Sequence, residues 1–218
     1  MNVQYFNDPF PFIIVDDHYN KEKQELIWRE LEYFTHPDRM ESSISSDKKL
    51  DDSAKNPDTG ETLKNTYVVW LDDLFPDRKY SSILMNTELD ADILTNHGHW
   101  YYNCRNVSKY YTQVLYYQNN NEYKPHHDMS VYTSLTWFYK EPKAFTGGDL
   151  IFTEFDMKVE LQYNRTIIFP GSLLHQATPV TMEGSEFNGM GRYCISQFII
   201  PEDNGLRRKR EKKGIYDN

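Results

Sequence analysis

"TQVLYYQNNNEYKPHHDMSVYTSLTWFYK", residues 112–140, is the stretch on which the fold turns. It opens and closes on short runs rich in β-branched and aromatic residues, and the Asn triplet 119–121 separates them as a turn would. The reading is strand, turn, strand. Between the runs, His126, His127 and Asp128 stand consecutively behind Pro125, a combination that packing alone rarely requires. Side chains on a strand alternate between faces, so His126 and Asp128 converge while His127 points away.

Outward from this stretch the pattern continues. "GDLIFTEF" (148–155), "KVELQYN" (158–164), "RTIIFP" (165–170) and "RYCISQFII" (192–200) are further short runs, punctuated by "EPKAFTGG" and "PGS". Six or more strands with no helix between them exclude a parallel α/β sheet and imply an antiparallel sandwich or jelly roll. Upstream, "PFPFIIVDD" (9–17) reads as a strand and "TYVVWL" (66–71) as another. "HYNKEKQELIWRELEYF" (18–34) places Leu26, Ile27, Leu31 and Phe34 at helical spacing behind an Asn20 cap. "DRKYSSILMNTELDADIL" (77–94) is expected to form a second amphipathic helix on Ile83, Leu84, Leu89 and Ile93. Residues 41–65 are polar and carry the turn signal "NPDTG", which makes them a lid or a surface excursion.

A length of 218 residues suits one sizeable core, so a single domain over 1–218 is expected: strand and helix support in 1–109, a β core in 110–200 and a basic tail in 201–218. The net charge of −9 argues against a surface built for nucleic acid or membranes. The local exception, "LRRKREKK" at 206–213, reads as a solvated tail with the capacity to attract polyanions. Cys104 and Cys194 are too few and too far apart for a disulfide framework or a CxxC site. No apolar run approaches 18 residues and "MNVQYFNDPFPF" lacks the plan of a leader, so a cytoplasmic setting without a membrane partner is expected.

A mononuclear metal site on His126 and Asp128 needs a further ligand, and His175, in "FPGSLLHQATPV" at the end of a strand, is the candidate. Two imidazoles and one carboxylate leave coordination positions open, the facial arrangement used by non-haem Fe(II) in oxygen activation. His18, His36, His97 and His99 lie in polar loop or helix-edge contexts that suit structural roles. In "GMGRYCISQFII", Arg192 starts a strand whose alternate residues are Cys194, Ser196 and Phe198. A guanidinium fork there suits a planar carboxylate, and Ser196 adds a hydroxyl on the same face.

"YYQNNNEYKPHHD", "SLTWFYKEPKAFTGGDLIF", "RTIIFPGSLLHQATPV" and "GMGRYCISQF", in order over roughly 110–200, resemble the prolyl 4-hydroxylase-like branch of the Fe(II)/2-oxoglutarate-dependent dioxygenases. The resemblance implies a mainly β α+β fold, a double-stranded β-helix (jelly roll) with N-terminal helices packed on one sheet. It implies His126, Asp128 and His175 as Fe(II) ligands and Arg192 as the anchor for the distal carboxylate of 2-oxoglutarate, with O2 as co-substrate and ascorbate as an accessory. Tyr117 matches a tyrosine that approaches the co-substrate, with Tyr116 the alternative if the register slips by one. Thr136 is expected to join Ser196 in co-substrate binding; it shares a strand face with Ser134 and Phe138, whose inward parity the sequence leaves open. Gly147 and Gly148 are expected to form a tight turn.

The implied reaction is hydroxylation of an unactivated C–H bond with release of succinate and CO2. A prolyl residue of a peptide or protein is the leading substrate; a free amino acid or small metabolite, or a cupin-like metal-binding protein without oxygen chemistry, are the alternatives. Asp128 occupies the position that halogenases of this superfamily leave vacant. Phe198 stands where nucleic-acid demethylases carry a second arginine, and the segment between His175 and Arg192 is longer than in compact relatives.

Overall fold

The structure, a computed structural model, describes residues 1–49, 51–103, 107–184 and 187–201. Cys104 and the basic run 206–213 lie outside the described residues. The chain begins with β1 (Asn2–Phe6), β2 (Phe12–Asp16) and α1 (Lys21–Phe34). Two short strands, β3 (Glu41–Ser42) and β4 (Lys64–Asn65), bracket the polar loop, and β5 (Tyr67–Trp70) follows. Three short helices come next, α2 (Leu71–Leu74), α3 (Ser82–Asn86) and α4 (Ala91–Thr95). The β core then runs through β6 (Val107–Tyr117), β7 (Glu122–His126), β8 (Tyr132–Phe138), β9 (Phe145–Gly147) and β10 (Leu150–Phe152). It closes with β11 (Met157–Val159), β12 (Thr166–Pro170), β13 (His175–Ala177), β14 (Val180–Met182) and β15 (Arg192–Pro201).

Eight strands form the major sheet in the order β1-β2-β12-β8-β15-β6-β5-β3, and five form the minor sheet in the order β11-β10-β13-β7-β4. Strands β14 and β9 pair separately. Every described pairing is antiparallel, as the absence of helices between the core strands required. The two sheets meet over a shared core that includes Leu115, Trp137, Phe169 and Cys194 from the major sheet and Leu150, Phe152 and Ala177 from the minor one. This is the mainly β jelly roll expected.

Helix α1 starts where Asn20 Oδ1 accepts from Lys23 N at 2.9 Å. Its apolar stripe buries Ile27, Leu31 and Phe34 against Val114, Tyr116, Phe138, Tyr193 and Ile195, on the outer face of the major sheet. The sheet is therefore covered on both sides, and alternate residues of β6, β8 and β15 divide between the helix layer and the inter-sheet core.

Residues 77–94 correct the expectation of one helix: they form two short ones, α3 and α4. Thr87 Oγ1 donates back to Ile83 O at 2.7 Å, and Asp90 Oδ1 accepts from Asp92 N at 2.9 Å to start α4 afresh. Such side chains compete with the helical backbone and cap it instead. The four apolar residues are buried all the same, Ile83 and Leu84 under α1, Leu89 and Ile93 beside β2 and β12. Among the described residues no helix is long and apolar enough to cross a membrane.

Candidate metal centre

His126 ends β7 and His175 begins β13, and antiparallel pairing sets the two directly opposite each other. Asp128 follows two residues on, its backbone N–H donating to Gly171 O at 2.8 Å. A Cβ on Gly171 would fall 2.2 Å from Ser130 Oγ, so only glycine lets the two turns that carry the ligands approach this closely. His126 Nε2 lies 3.5 Å from Asp128 Oδ1, and His175 Nε2 lies 3.4 Å from Asp128 Oδ2. The three ligand atoms all sit within 4.8 Å of one another.

Both imidazoles are oriented from behind. His126 Nδ1 is 2.8 Å from Lys124 O and His175 Nδ1 is 2.8 Å from Leu173 O. A carbonyl only accepts, so each Nδ1 carries the proton and each Nε2 presents a lone pair to the carboxylate. Burial pushes His126 below its ordinary value and keeps it in the neutral, ligating form. Three lone-pair donors facing one another call for a cation between them. A divalent ion about 2.0–2.2 Å from each fits the donor set.

Thr133 Oγ1 donates to Asp128 Oδ2 at 2.6 Å and fixes the carboxylate plane. The ring of Tyr123 stacks on His126 with centroids 3.5 Å apart. His127 is exposed, and its Nδ1 lies 2.8 Å from Ser172 O, outside the cluster.

Arg192 is the second feature of the site. It is 1% exposed, yet its Nε and Nη1 have no hydrogen-bond partner. Its guanidinium carbon lies 4.2 Å from the centroid of the Tyr117 ring, the residue opposite it in the β15–β6 register. A buried cation with idle donors is costly unless an anion completes it. Gly148 makes the space: with φ +73°, it would place a Cβ 2.7 Å from Arg192 Cδ. The glycine pair thus does more than turn the chain.

One cavity joins these features. Tyr117, Cys194, Ser196 and Phe198 line it together with Arg192 and the three ligand residues. Tyr117, not Tyr116, faces inward; burial pushes its phenol up to about 12. Tyr116 packs under α1 and its hydroxyl accepts from Gly191 N at 3.2 Å, bracing the turn before Arg192.

Thr136 is a correction. It faces away from the cavity, toward the helix layer, and shares a hydrogen bond with Thr166 Oγ1 at 2.7 Å. Leu135 lines the cavity in its place, and Ser134 and Phe138 share the parity of Thr136. The reason is register: Ser196 and Cys194 pair with Leu135 and Trp137, which fixes the odd residues of β8 inward.

Sequence reasoning missed Thr133, Tyr123, Gln113 and Lys64. Gln113 was open to discovery, since it lies two pleats before Tyr117 on the same face. Lys64 was not, because its burial comes from the pairing of β4 with β7. It is 2% exposed, and its Nζ lies 2.5 Å from Asp52 Oδ2, which also accepts from Trp70 Nε1 at 3.2 Å. Asp52 and Lys64 therefore tie this part of the polar loop to β5 and β7 beside Tyr123.

Residues 112–200 match the 2OG-Fe(II) oxygenase superfamily. No curated protein matches the chain in sequence. Among solved structures, it is similar in fold to a 2OG-Fe(II) oxygenase family oxidoreductase from Burkholderia pseudomallei, with 10% identity, 87% of this chain and 84% of that one covered, and a TM-score of 0.54. It is also similar to a prolyl-4-hydroxylase from Pseudomonas putida, with 12% identity, 88% and 92% covered, and a TM-score of 0.52.

Proposed function

We propose, from the match of residues 112–200 to the 2OG-Fe(II) oxygenase superfamily, that the protein is an oxygenase of this kind and that it hydroxylates a prolyl residue of a peptide or protein. His126, Asp128 and His175 would hold Fe(II), and Arg192 would hold the distal carboxylate of 2-oxoglutarate. When bound, Fe(II) with 2-oxoglutarate and O2 supplies the oxidative decarboxylation that hydroxylates an unactivated C–H bond and releases succinate and CO2.

The observation that carries this reading is the pairing of the ligand cluster with Arg192. The guanidinium is buried, lacks partners at two nitrogens and opens on the same cavity as the triad. A metal-binding module without a carboxylate co-substrate would leave that cation without a counter-charge. The remaining residues divide the work of positioning. Thr133 orients Asp128, the carbonyls of Lys124 and Leu173 orient the imidazoles, and the face of Tyr117 covers one side of the guanidinium.

Support for the prolyl substrate is the aromatic part of the cavity's lining. Phe198 and Tyr123 belong to it and Trp70 lies beside Phe198, with ring centroids 5.9 Å apart. Aromatic faces suit an apolar ring better than a flexible charged chain. The test is succinate formation by anaerobically reconstituted Fe(II) protein, on addition of O2, against proline-containing peptides. Stimulation above uncoupled turnover is expected. If no proline compound stimulates, the prolyl assignment is wrong, whereas loss of 2-oxoglutarate binding altogether is what would contradict the oxygenase reading.

A further inference from the structure

Resting on the oxygenase reading, we propose that Gln113 is the substrate-recognition residue, and that it selects a substrate with a neutral amide over a free, zwitterionic amino acid. Gln113 is 2% exposed, lines the cavity, and its side-chain Oε1 has no hydrogen-bond partner. A buried amide oxygen left idle is as unusual as the idle guanidinium of Arg192, and it asks for a ligand group in the same way.

Its backbone lies away from the anchor of the co-substrate's distal carboxylate. Arg192 pairs in register with Tyr117, and four residues further along the same ladder Ser196 pairs with Gln113. At the rise of a strand this places the Gln113 backbone about 13 Å from the Arg192 end. The metal cluster lies toward Gln113: Thr133, which touches Asp128, is registered against Phe198. Trp70 is registered against Gln113 on its other side. Gln113 therefore lines the cavity at the end of the β6–β15 ladder remote from the carboxylate anchor, beside Trp70.

The chemistry of that end decides the substrate class. The charged or ionisable residues that line the cavity are His126, Asp128, His175 and Arg192, together with the high-pKa phenols of Tyr117 and Tyr123 and the thiol of Cys194. The ligand cluster and the anchor are committed to metal and co-substrate. Beside Tyr123, Lys64 and Asp52 neutralise each other. Among the described residues that line the cavity, a free amino acid would meet no uncommitted counter-charge for its ammonium and carboxylate, and burying either without one is strongly unfavourable. A peptide amide brings a donor and an acceptor and no charge. The carboxamide of Gln113 complements it in either orientation, because turning the side chain by 180° exchanges C=O for NH2.

The experiment compares acetyl-Gly-X-Gly-amide peptides, X being each of the twenty residues, with the twenty free amino acids. Succinate formation is read in wild type, Gln113→Leu and Gln113→Glu, and the Kd of 2-oxoglutarate is measured anaerobically in parallel. At least one blocked peptide is expected to stimulate turnover and no free amino acid to do so. Gln113→Leu should raise the KM for that peptide at least about tenfold while the 2-oxoglutarate Kd stays within about twofold; Gln113→Glu, which buries a carboxylate without a counter-charge, should lose at least as much. Stimulation by a free amino acid overturns the proposal, as does the absence of stimulation by any blocked peptide. So does a Gln113→Leu effect that falls on 2-oxoglutarate rather than on peptide KM. A wild-type protein that binds no 2-oxoglutarate would fail in the binding arm, sinking the oxygenase reading itself and this inference with it.

Discussion

The guanidinium of Arg192 stacks on the ring of Tyr117, 4.2 Å from its centroid, and the two residues are direct partners across β15 and β6. The sheet register therefore holds the cation in place before any ligand arrives. Arg192→Ala removes both the fork and the charge and is expected to weaken 2-oxoglutarate binding by about 100-fold or more. Arg192→Lys keeps a point charge and should recover only part of this. Anaerobic titration of the Fe(II) protein checks both variants, and Fe(II) affinity should stay near wild type in each.

Gly148 is the reason that side chain has room. Gly148→Ala combines a φ of +73° with a Cβ 2.7 Å from Arg192 Cδ. A stability loss of about 1–2 kcal/mol is expected from the backbone alone. The displaced arginine should add a weaker 2-oxoglutarate Kd. Chemical denaturation and the same titration separate the two effects.

Thr133 and Thr136 lie on one strand with opposite parity, and their variants should behave oppositely. Thr133→Val deletes the hydrogen bond to Asp128 and is expected to cost about 10–100-fold in Fe(II) affinity. Thr136→Val loses the side-chain bonds to Thr166 and Tyr19, away from the metal cluster, so stability should fall by about 1–2 kcal/mol with metal affinity unchanged. Equal Fe(II) affinities in the two variants would contradict the assigned parity.

This pair also shows where the sequence ceased to be legible. The strands of the core, the antiparallel class and α1 could be read from periodicity, and the spacing of His126 from Asp128 placed them on one face. Thr136 was misplaced because a strand buried on both faces has no polar side to mark its parity: Tyr132–Phe138 is buried throughout. Only the register against β15 resolves it. The break between α3 and α4 was hidden because Leu89 and Ile93 kept a helical spacing across a cap at Asp90. Lys64 was invisible for another reason: its surroundings come from residues far apart in the chain.

His18 gives a pH dependence independent of the metal cluster. Burial, aided by the nearby Lys23, lowers its pKa to about 4 from an ordinary 6.5, and its Nδ1 lies 2.7 Å from Thr166 Oγ1. The folded state binds fewer protons than the unfolded chain, so stability is constant above the unfolded value and falls as pH drops from 6.5 toward 4. The His18 contribution lost by pH 5 should be about 2 kcal/mol. Urea unfolding of wild type and His18→Gln at pH 7.5 and 5 measures it. The variant should lose correspondingly less stability between the two.

The account rests on which of two adjacent histidines holds the metal. Anaerobic Fe(II) titration of His126→Ala and His127→Ala, followed by 2-oxoglutarate binding, tests it most directly. His127→Ala should bind both within about twofold of wild type, because its ring touches only Ser172 O outside the cluster. His126→Ala should lose Fe(II) binding by about 100-fold or more, and 2-oxoglutarate binding with it. Comparable losses in the two variants, or retention of Fe(II) in His126→Ala, would contradict the account.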